Sequence, residues 1–206
     1  MKTYPNFYNN LSLVEVKVCE ILKDAAKNRR SDLHTPVLCS VDELNRPNAR
    51  TVVLRGFFAN EWLVLFHSDL RSKKIVEIRN NPNVSMVFYD KSKKIQVRIN
   101  GKAKIDDKLK NNAWDKLTNW SRRCYLSMKS PGEKTLRANS GFENMYSKLA
   151  PSDEQSDLGK KNFSCVVVEI NCIEWLYLAS EGHRRALFNI IRNKKKLQIK
   201  KEWLVP

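Results

Sequence analysis

Apolar residues recur along this chain with two different periods. Leu11, Val14, Val18, Ile21 or Leu22, and Ala25 stand three or four residues apart. That is the spacing of one helix face, and it predicts an amphipathic helix over residues 11–28, closed by Asn28-Arg29-Arg30-Ser31. Beyond it the period falls toward two. Val37–Val41 reads as a strand, Asn45-Arg46-Pro47-Asn48 as a turn, and 51–58 as the second arm of a hairpin that starts at Arg50. A further strand is expected over 62–67, a turn over 68–71, and a helix from Ser72, with Ser72 or Asp69 as its cap and Asn80-Asn81-Pro82 as its stop. Strands follow over 84–89 and 94–105. In the latter, Ile95, Val97 and Ile99 face one way and Gln96 and Arg98 the other. Gly101 predicts a bulge there or a close backbone approach. Asp106 or Asp107 would cap a helix carrying Leu109, Ala113, Trp114 and Leu117, and a short helix would hold Tyr125 and Leu126. Ser130-Pro131-Gly132 is a turn, and the polar stretch 138–161 reads as a long mobile loop. Strands over 163–170, 175–178, 184–191 and 197–204 complete the sheet. Strands and helices do not alternate as in a doubly wound fold, so the pattern predicts an antiparallel α+β barrel or sandwich.

Composition narrows the class. With 206 residues, 42% of them hydrophobic, the chain can bury a core and is not disordered. No apolar run reaches membrane-spanning length, and the N-terminus has no signal-peptide core, so a cytoplasmic protein is expected. The five cysteines, Cys19, Cys39, Cys124, Cys165 and Cys172, are odd in number and lack CxxC spacing. They are expected to be reduced and mostly buried. His34, His67 and His183 are scattered, without HExxH spacing, so no metal site is expected.

The net charge of +16 invites nucleic acid or anionic small molecules as partners. The lysines are dispersed, however. The densest cluster, Lys194-Lys195-Lys196 with Lys200-Lys201, lacks interleaved aromatics, and a solvated basic surface is the preferred reading over nucleic-acid binding. The placement of Lys73 and Lys74 is more telling. They fall in the first turn of a helix, where the helix dipole disfavours cations by a few tenths of a kcal/mol. Either they point to water at that small cost, or they seat a phosphate. No nucleophile–base pair and no paired carboxylates stand out, so any hard chemistry is expected to come from a bound cofactor. An anionic, planar one suits the arginines, lysines and tryptophans present.

Several motifs, in order, resemble the pyridoxamine 5′-phosphate oxidase family. Arg50-Thr51-Val52-Val53-Leu54-Arg55 is similar to its R-x-V-L-L-K strand, and His67-Ser68 stands where it has Tyr-Thr. Ser72-Lys73-Lys74 is similar to its S-R-K, Asn81-Pro82-Asn83-Val84-Ser85 to its N-P-x-V-S, and Gln96-Val97 with Gly101-Lys102-Ala103 to its Q-V and G-K-A. Trp175 and Arg185 keep its ten-residue spacing, His183 falls on the histidine of its R-x-H-x-R, and Trp203-Leu204-Val205-Pro206 looks like its L-x-P end. The resemblance runs from about residue 30 to 206. It implies a mainly β, α+β fold: one antiparallel split β-barrel domain binding FMN, with barrel segments at about 35–105 and 163–206, the N-terminal helix at about 11–28 and an insertion at about 106–161. It implies a homodimer with FMN at the interface and a small anionic substrate. The cofactor-binding residues would be Arg50, Thr51, Val52, Val53, Leu54, Arg55, His67, Ser68, Ser72, Lys73, Lys74, Gln96, Trp175 and Arg185. Arg50 and the lysines would hold the phosphate, the 51–54 backbone and Gln96 the ring edge, and Trp175 and Arg185 would come from the other subunit. His183 and Arg185 would lie on the substrate side as catalytic residues. The activity implied is an FMN-dependent oxidation of a small substrate, with a phosphorylated amine as one candidate. A flavin carrier without turnover and a basic nucleic-acid-binding barrel are the alternatives.

The departures concern the substrate. The lysine that serves flavin and substrate in the family is Arg55 here, which cannot accept a proton. The first arginine of R-x-H-x-R is Glu181, whose charge would repel a phosphate. The family's Y-x-x-x-R-x-x-x-S stretch is replaced by a W…R…PG pattern between Trp114 and Gly132, closer to another branch of FMN-binding relatives. On an unbroken strand, Arg50 and Arg55 would point to opposite faces, so one ligand meets both only if that strand twists or bulges.

Overall fold

The computed structural model describes residues 4–193 and 196–206. Lys194 and Lys195 of the basic cluster lie outside the described residues. Helix α1 (Leu11–Lys27) starts where the Asn10 side chain accepts from the Ser12 and Leu13 amides, and it buries the periodic face Val14, Val18, Ile21, Leu22 and Ala25. Among the described residues nine antiparallel strands follow, interrupted by helices: β1 (Val37–Val41), β2 (Pro47–Thr51), β3 (Leu54–Phe58), β4 (Leu63–Asp69), α2 (Lys73–Asn80), β5 (Asn83–Asp90), β6 (Ile95–Ile105), α3 (Asp107–Asp115), α4 (Asn119–Arg122), α5 (Asp153–Asp157), β7 (Phe163–Tyr177), β8 (Arg184–Asn193) and β9 (Lys196–Leu204).

The sheet runs β2-β1-β5-β6-β7-β4-β3, with β8 on β7 and β9 on β8. Strand β7 explains the split. One of its edges pairs with β6 almost throughout, while the other pairs first with β4, from Phe163 to Glu169, and then with β8, from Cys172 to Tyr177. Two expected strands, 163–170 and 175–178, are therefore one. At the changeover Asn171 bulges out of the β6 ladder, and the Arg192 guanidinium donates to the Ile170 carbonyl (2.6 Å) and to the Glu61 carbonyl (3.0 Å). The backbone there passes so close that a Cβ on Gly101 would lie 2.2 Å from the Glu169 carbonyl oxygen. The close approach expected at Gly101 is thus present, and only glycine fits.

The expected strand 51–58 is broken. Chain β2 ends at Thr51, Val52 donates its amide to the Pro36 carbonyl (3.0 Å), and β3 begins at Leu54 with an irregular register at Arg55. Strand β4 extends through Ser68 and Asp69, which had been expected in the turn. The 138–161 segment also departs from a bare loop. It carries 3-10 turns over Asn144–Ser147 and Lys160–Asn162 besides α5. Its anchor is Asp157, which accepts from the indole of the buried Trp114 (2.7 Å). Trp114 packs with Phe163, Cys165, Val167 and Leu65 into a second small core behind the sheet. Of the cysteines, all free, only Cys165 is fully buried, and Cys124 is exposed. Among the described residues no helix is long and apolar enough to cross a membrane.

Candidate functional site

The helix start is where the sequence anomaly lies, and its geometry is specific. Ser72 occupies the N-cap position, but its hydroxyl donates to the Asp69 carbonyl (2.8 Å) and makes no cap bond to the first turn. Asp69 is not a cap either. It grips Arg71 in a two-point pair (Nε–Oδ1 3.0 Å, Nη2–Oδ2 2.7 Å), which fixes the turn. Lys74 folds back over this helix mouth. Its ammonium donates to Ser68 Oγ (3.2 Å) and Ser72 Oγ (3.1 Å), two hydroxyls 3.0 Å apart. Burial lowers the Lys74 pKa, and the nearby positive charge of Arg50 lowers it further, against weaker support from Asp69 and Glu77. Lys74 is thus a cation held on neutral hydroxyl acceptors and near another cation. Lys73 is exposed and instead lines, with Arg50, a cleft of about 420 Å³ on the outer side of α2.

Alternation along β4 separates His67 from Ser68. Ser68 faces α2, whereas His67 faces the second core, its ring edge against Phe163 (4.8 Å between centroids). The break after β2 likewise takes Arg55 away from Arg50. Arg55 and His67 line a different cleft, of about 460 Å³, together with Arg29, Lys116 and Leu65. Burial, with the Arg55 charge second, pushes His67 down to about 4, so it is neutral at pH 7. Burial also lowers Arg55. Arg55 Nε and His67 Nδ1 are buried without a hydrogen-bond partner.

A third group lies on the outer face of the sheet. Gln96 pairs with Leu176, and Leu176 with Arg185, so Gln96 and Arg185 stand in one cross-strand row. In the next row Arg98 and Glu174 are paired (3.0 Å), and Glu174 also holds Arg185 (2.9 Å). Thr51 and Val37 belong to that same row through β5. Val52 is buried and Leu54 packs fully into the core, so these two side chains have no open face, and Val53 is half-buried. His183 is exposed in the β7–β8 turn.

Trp175 is a correction. It is fully buried, packed edge-on by Phe7 and stacked on Tyr177 at 6.0 Å. It opposes Ala186, so it points through the opposite face of the sheet from Arg185. The ten-residue spacing does not bring the two together within the chain, and the Trp175 ring has no face open to a ligand. Three residues around Arg50 were missed: Ser40 and Glu77, which accept from its guanidinium, and Asn48, which donates to Glu77. Their signal was weak but present, a serine at an inward position of a β-branched strand and a glutamate one turn after the paired lysines.

The donor set at the α2 mouth fits a phosphate: one ammonium, two hydroxyls, the free amides of a first helical turn and a neighbouring guanidinium. Residues 17–107 match the family described as pyridoxamine 5'-phosphate oxidase, FMN-binding domain. A pyridoxine/pyridoxamine 5'-phosphate oxidase of Pelagibacter ubique is 36% identical over 106 residues, 52% of this chain and 48% of that protein. One of Sinorhizobium fredii is 37% identical over 84 residues, 41% of this chain and 40% of that protein. The chain thus spans about half the length of the curated relatives it matches, or less. Among solved structures, a pyridoxamine 5'-phosphate oxidase-related, FMN-binding protein of Nostoc punctiforme has a TM-score of 0.67 at 20% identity, covering 100% of both chains. PhzG of Burkholderia lata, in complex with tetrahydrophenazine-1-carboxylic acid, has a TM-score of 0.73 at 16% identity, covering 100% of this chain and 99% of that one. The fold is therefore the split barrel of those proteins.

Proposed function

We propose that the chain, whose residues 17–107 match the FMN-binding domain described as pyridoxamine 5'-phosphate oxidase, is an FMN-dependent oxidoreductase acting on a small anionic substrate. The flavin phosphate is held at the mouth of α2 by Lys74, Ser68 and Ser72, with Arg50 beside them and Lys73 at the rim. The observation that carries this reading is the Lys74 ammonium, half-buried on two serine hydroxyls against the helix dipole and against Arg50. A dianion there converts each of those unfavourable terms into an attraction. The backbone of residues 51–54, which side chains do not control, and Gln96 would hold the ring edge.

A second copy of the chain completes the site. Support comes from the sheet's outer face, where the half-buried Val37, Val87, Leu176 and Leu187 surround the Arg98–Glu174–Arg185 group. Such a face suits a self-complementary two-fold contact. It would bring Arg185, and His183 from the adjoining turn, to the partner's flavin. When bound, FMN accepts the two electrons and hydrogen removed from substrate. The cleft with Arg55, Arg29 and Lys116 gives an anionic substrate its counter-charges. Arg55 stays protonated and orients. His67, kept neutral, lines the same cleft without adding a positive charge to it.

The test is to purify the chain, titrate it with FMN by absorbance, and weigh it in solution by light scattering. A yellow dimer holding close to one FMN per chain, whose flavin is bleached anaerobically by pyridoxamine 5'-phosphate or a related anionic amine, is expected. A colourless monomer that takes up no FMN overturns the reading.

A further inference from the structure

The Arg50 guanidinium, whose charge is felt at Lys74, is held in place by neighbouring side chains. We propose that Glu77 is a positioning residue, which aims the Arg50 guanidinium at the flavin phosphate; this rests on the phosphate site assigned above. Glu77 sits on α2 one turn after Lys73 and Lys74, and it is buried, with 7% of its surface exposed. Both its oxygens are occupied. Oε1 accepts from Asn48 Nδ2 (3.0 Å), and Oε2 accepts from Ser40 Oγ (2.5 Å) and Arg50 Nη2 (2.9 Å). Ser40 Oγ in turn accepts from Arg50 Nη1 (2.5 Å). Each terminal nitrogen of the guanidinium is thereby fixed by one bond. Of its five N–H donors, the one on Nε and one on each terminal nitrogen are left over. The planar fork cannot rotate without breaking both fixed bonds, so the remaining donors keep one direction.

A buried carboxylate beside a phosphate site needs such an explanation, because its charge repels the ligand. The two effects have opposite signs, which makes them separable. If Glu77 acted on the ligand through its charge alone, removing it would tighten FMN binding. If it positions Arg50, removing it frees the guanidinium and weakens binding of the phosphate. If it only ties α2 to the β1–β2 hairpin, FMN and riboflavin affinities change together, because riboflavin has the ring without the phosphate.

The experiment measures dissociation constants of the full chain for FMN and for riboflavin by quenching of flavin fluorescence, in wild type, E77A, E77Q and S40A. Expected is a wild-type preference for FMN that falls about tenfold in E77A, the scale of one misaligned charge-assisted hydrogen bond. Riboflavin binding should stay within about twofold, since only the phosphate contact is altered. E77Q, which keeps a carbonyl acceptor for Arg50, should recover much of the loss, and S40A should show a smaller one. An FMN-to-riboflavin ratio that is unchanged or raised in E77A overturns the proposal. Should E77A fail to fold, the same ratio in S40A decides: unchanged, it overturns the proposal. A wild type that does not prefer FMN over riboflavin would instead sink the phosphate site itself, and the positioning role with it.

Discussion

Replacing Lys74 by methionine should make the empty protein more stable and the flavin complex weaker. Methionine keeps the length and packing of the lysine stem but removes its charge. In the free chain that charge is half-buried, lies at the positive end of α2 and is repelled by Arg50. The dipole contribution alone is about 0.3–1 kcal/mol. Relief of the desolvation cost adds to it, so a rise in melting temperature of roughly 1–5 °C is expected for a domain of this size. With FMN bound, the ammonium is a charge-assisted donor to phosphate. Its loss costs about 1.5–3 kcal/mol, or roughly 10- to 150-fold in Kd. The pH dependence follows from the sign of the shift. The folded Lys74 pKa lies below its ordinary 10.5, so the unfolded chain holds more protons between those two values. Wild-type stability therefore gains from Lys74 as pH rises through that window, and K74M lacks the gain. Thermal melts with and without FMN across pH 7–10.5 check all three effects. A K74M chain that melts lower than wild type when empty, or binds FMN with unchanged Kd, refutes the reasoning.

Gly101→Ala places a methyl 2.2 Å from the Glu169 carbonyl oxygen and 3.0 Å from Val168 Cγ1 at the β6–β7 bulge. It should cost about 3 kcal/mol and lower the melting temperature by roughly 6–12 °C; a change within about 1 °C in calorimetry would show that the strands part easily there. His67 is held near pKa 4 in the fold against 6.5 when unfolded. The unfolded chain takes up a proton first as pH falls, so stability is lost from pH 6.5 down to about 4, by roughly 2–3 kcal/mol. H67Q should flatten that part of the melting-temperature profile, and an unaltered slope in H67Q would place the acid sensitivity elsewhere. Asp157→Ala leaves the buried Trp114 indole without its acceptor. A loss of about 1–3 kcal/mol is expected, with faster amide exchange through α5. Unchanged exchange there would show that the insertion is anchored by other contacts.

Much of the fold could be read from the chain because side-chain periodicity reports on faces that must be buried. The α1 stripe and the Ile95, Val97, Ile99 alternation lie in the core as expected. Gly101 was legible because a glycine inside a strand otherwise weakens it. What the pattern could not show was pairing. A strand as long as β7, shared between β4 and β8, looks like two strands when a polar bulge at Asn171 interrupts it. The break at Val52–Val53 was hidden for the opposite reason, since both residues favour strands and only the Val52–Pro36 bond reveals the change of direction. Within the candidate site, the lysines declared themselves by conflict with the helix dipole. Ser40, Asn48 and Glu77 did not, because satisfied polar groups leave no conflict in a sequence. Trp175 misled because spacing alone fixes neither face nor cover. Its even separation from Arg185 along the chain spans a turn, and the turn sets them on opposite sides of the sheet.

The most direct test is a crystal structure of the chain grown with FMN. The account predicts flavin phosphate density at the start of α2, within about 3 Å of Lys74 Nζ and of the Ser68 and Ser72 hydroxyls, with Arg50 alongside. Phosphate density in the Arg29–Arg55–Lys116 cleft, with Lys74 still folded onto its two serines, would contradict it.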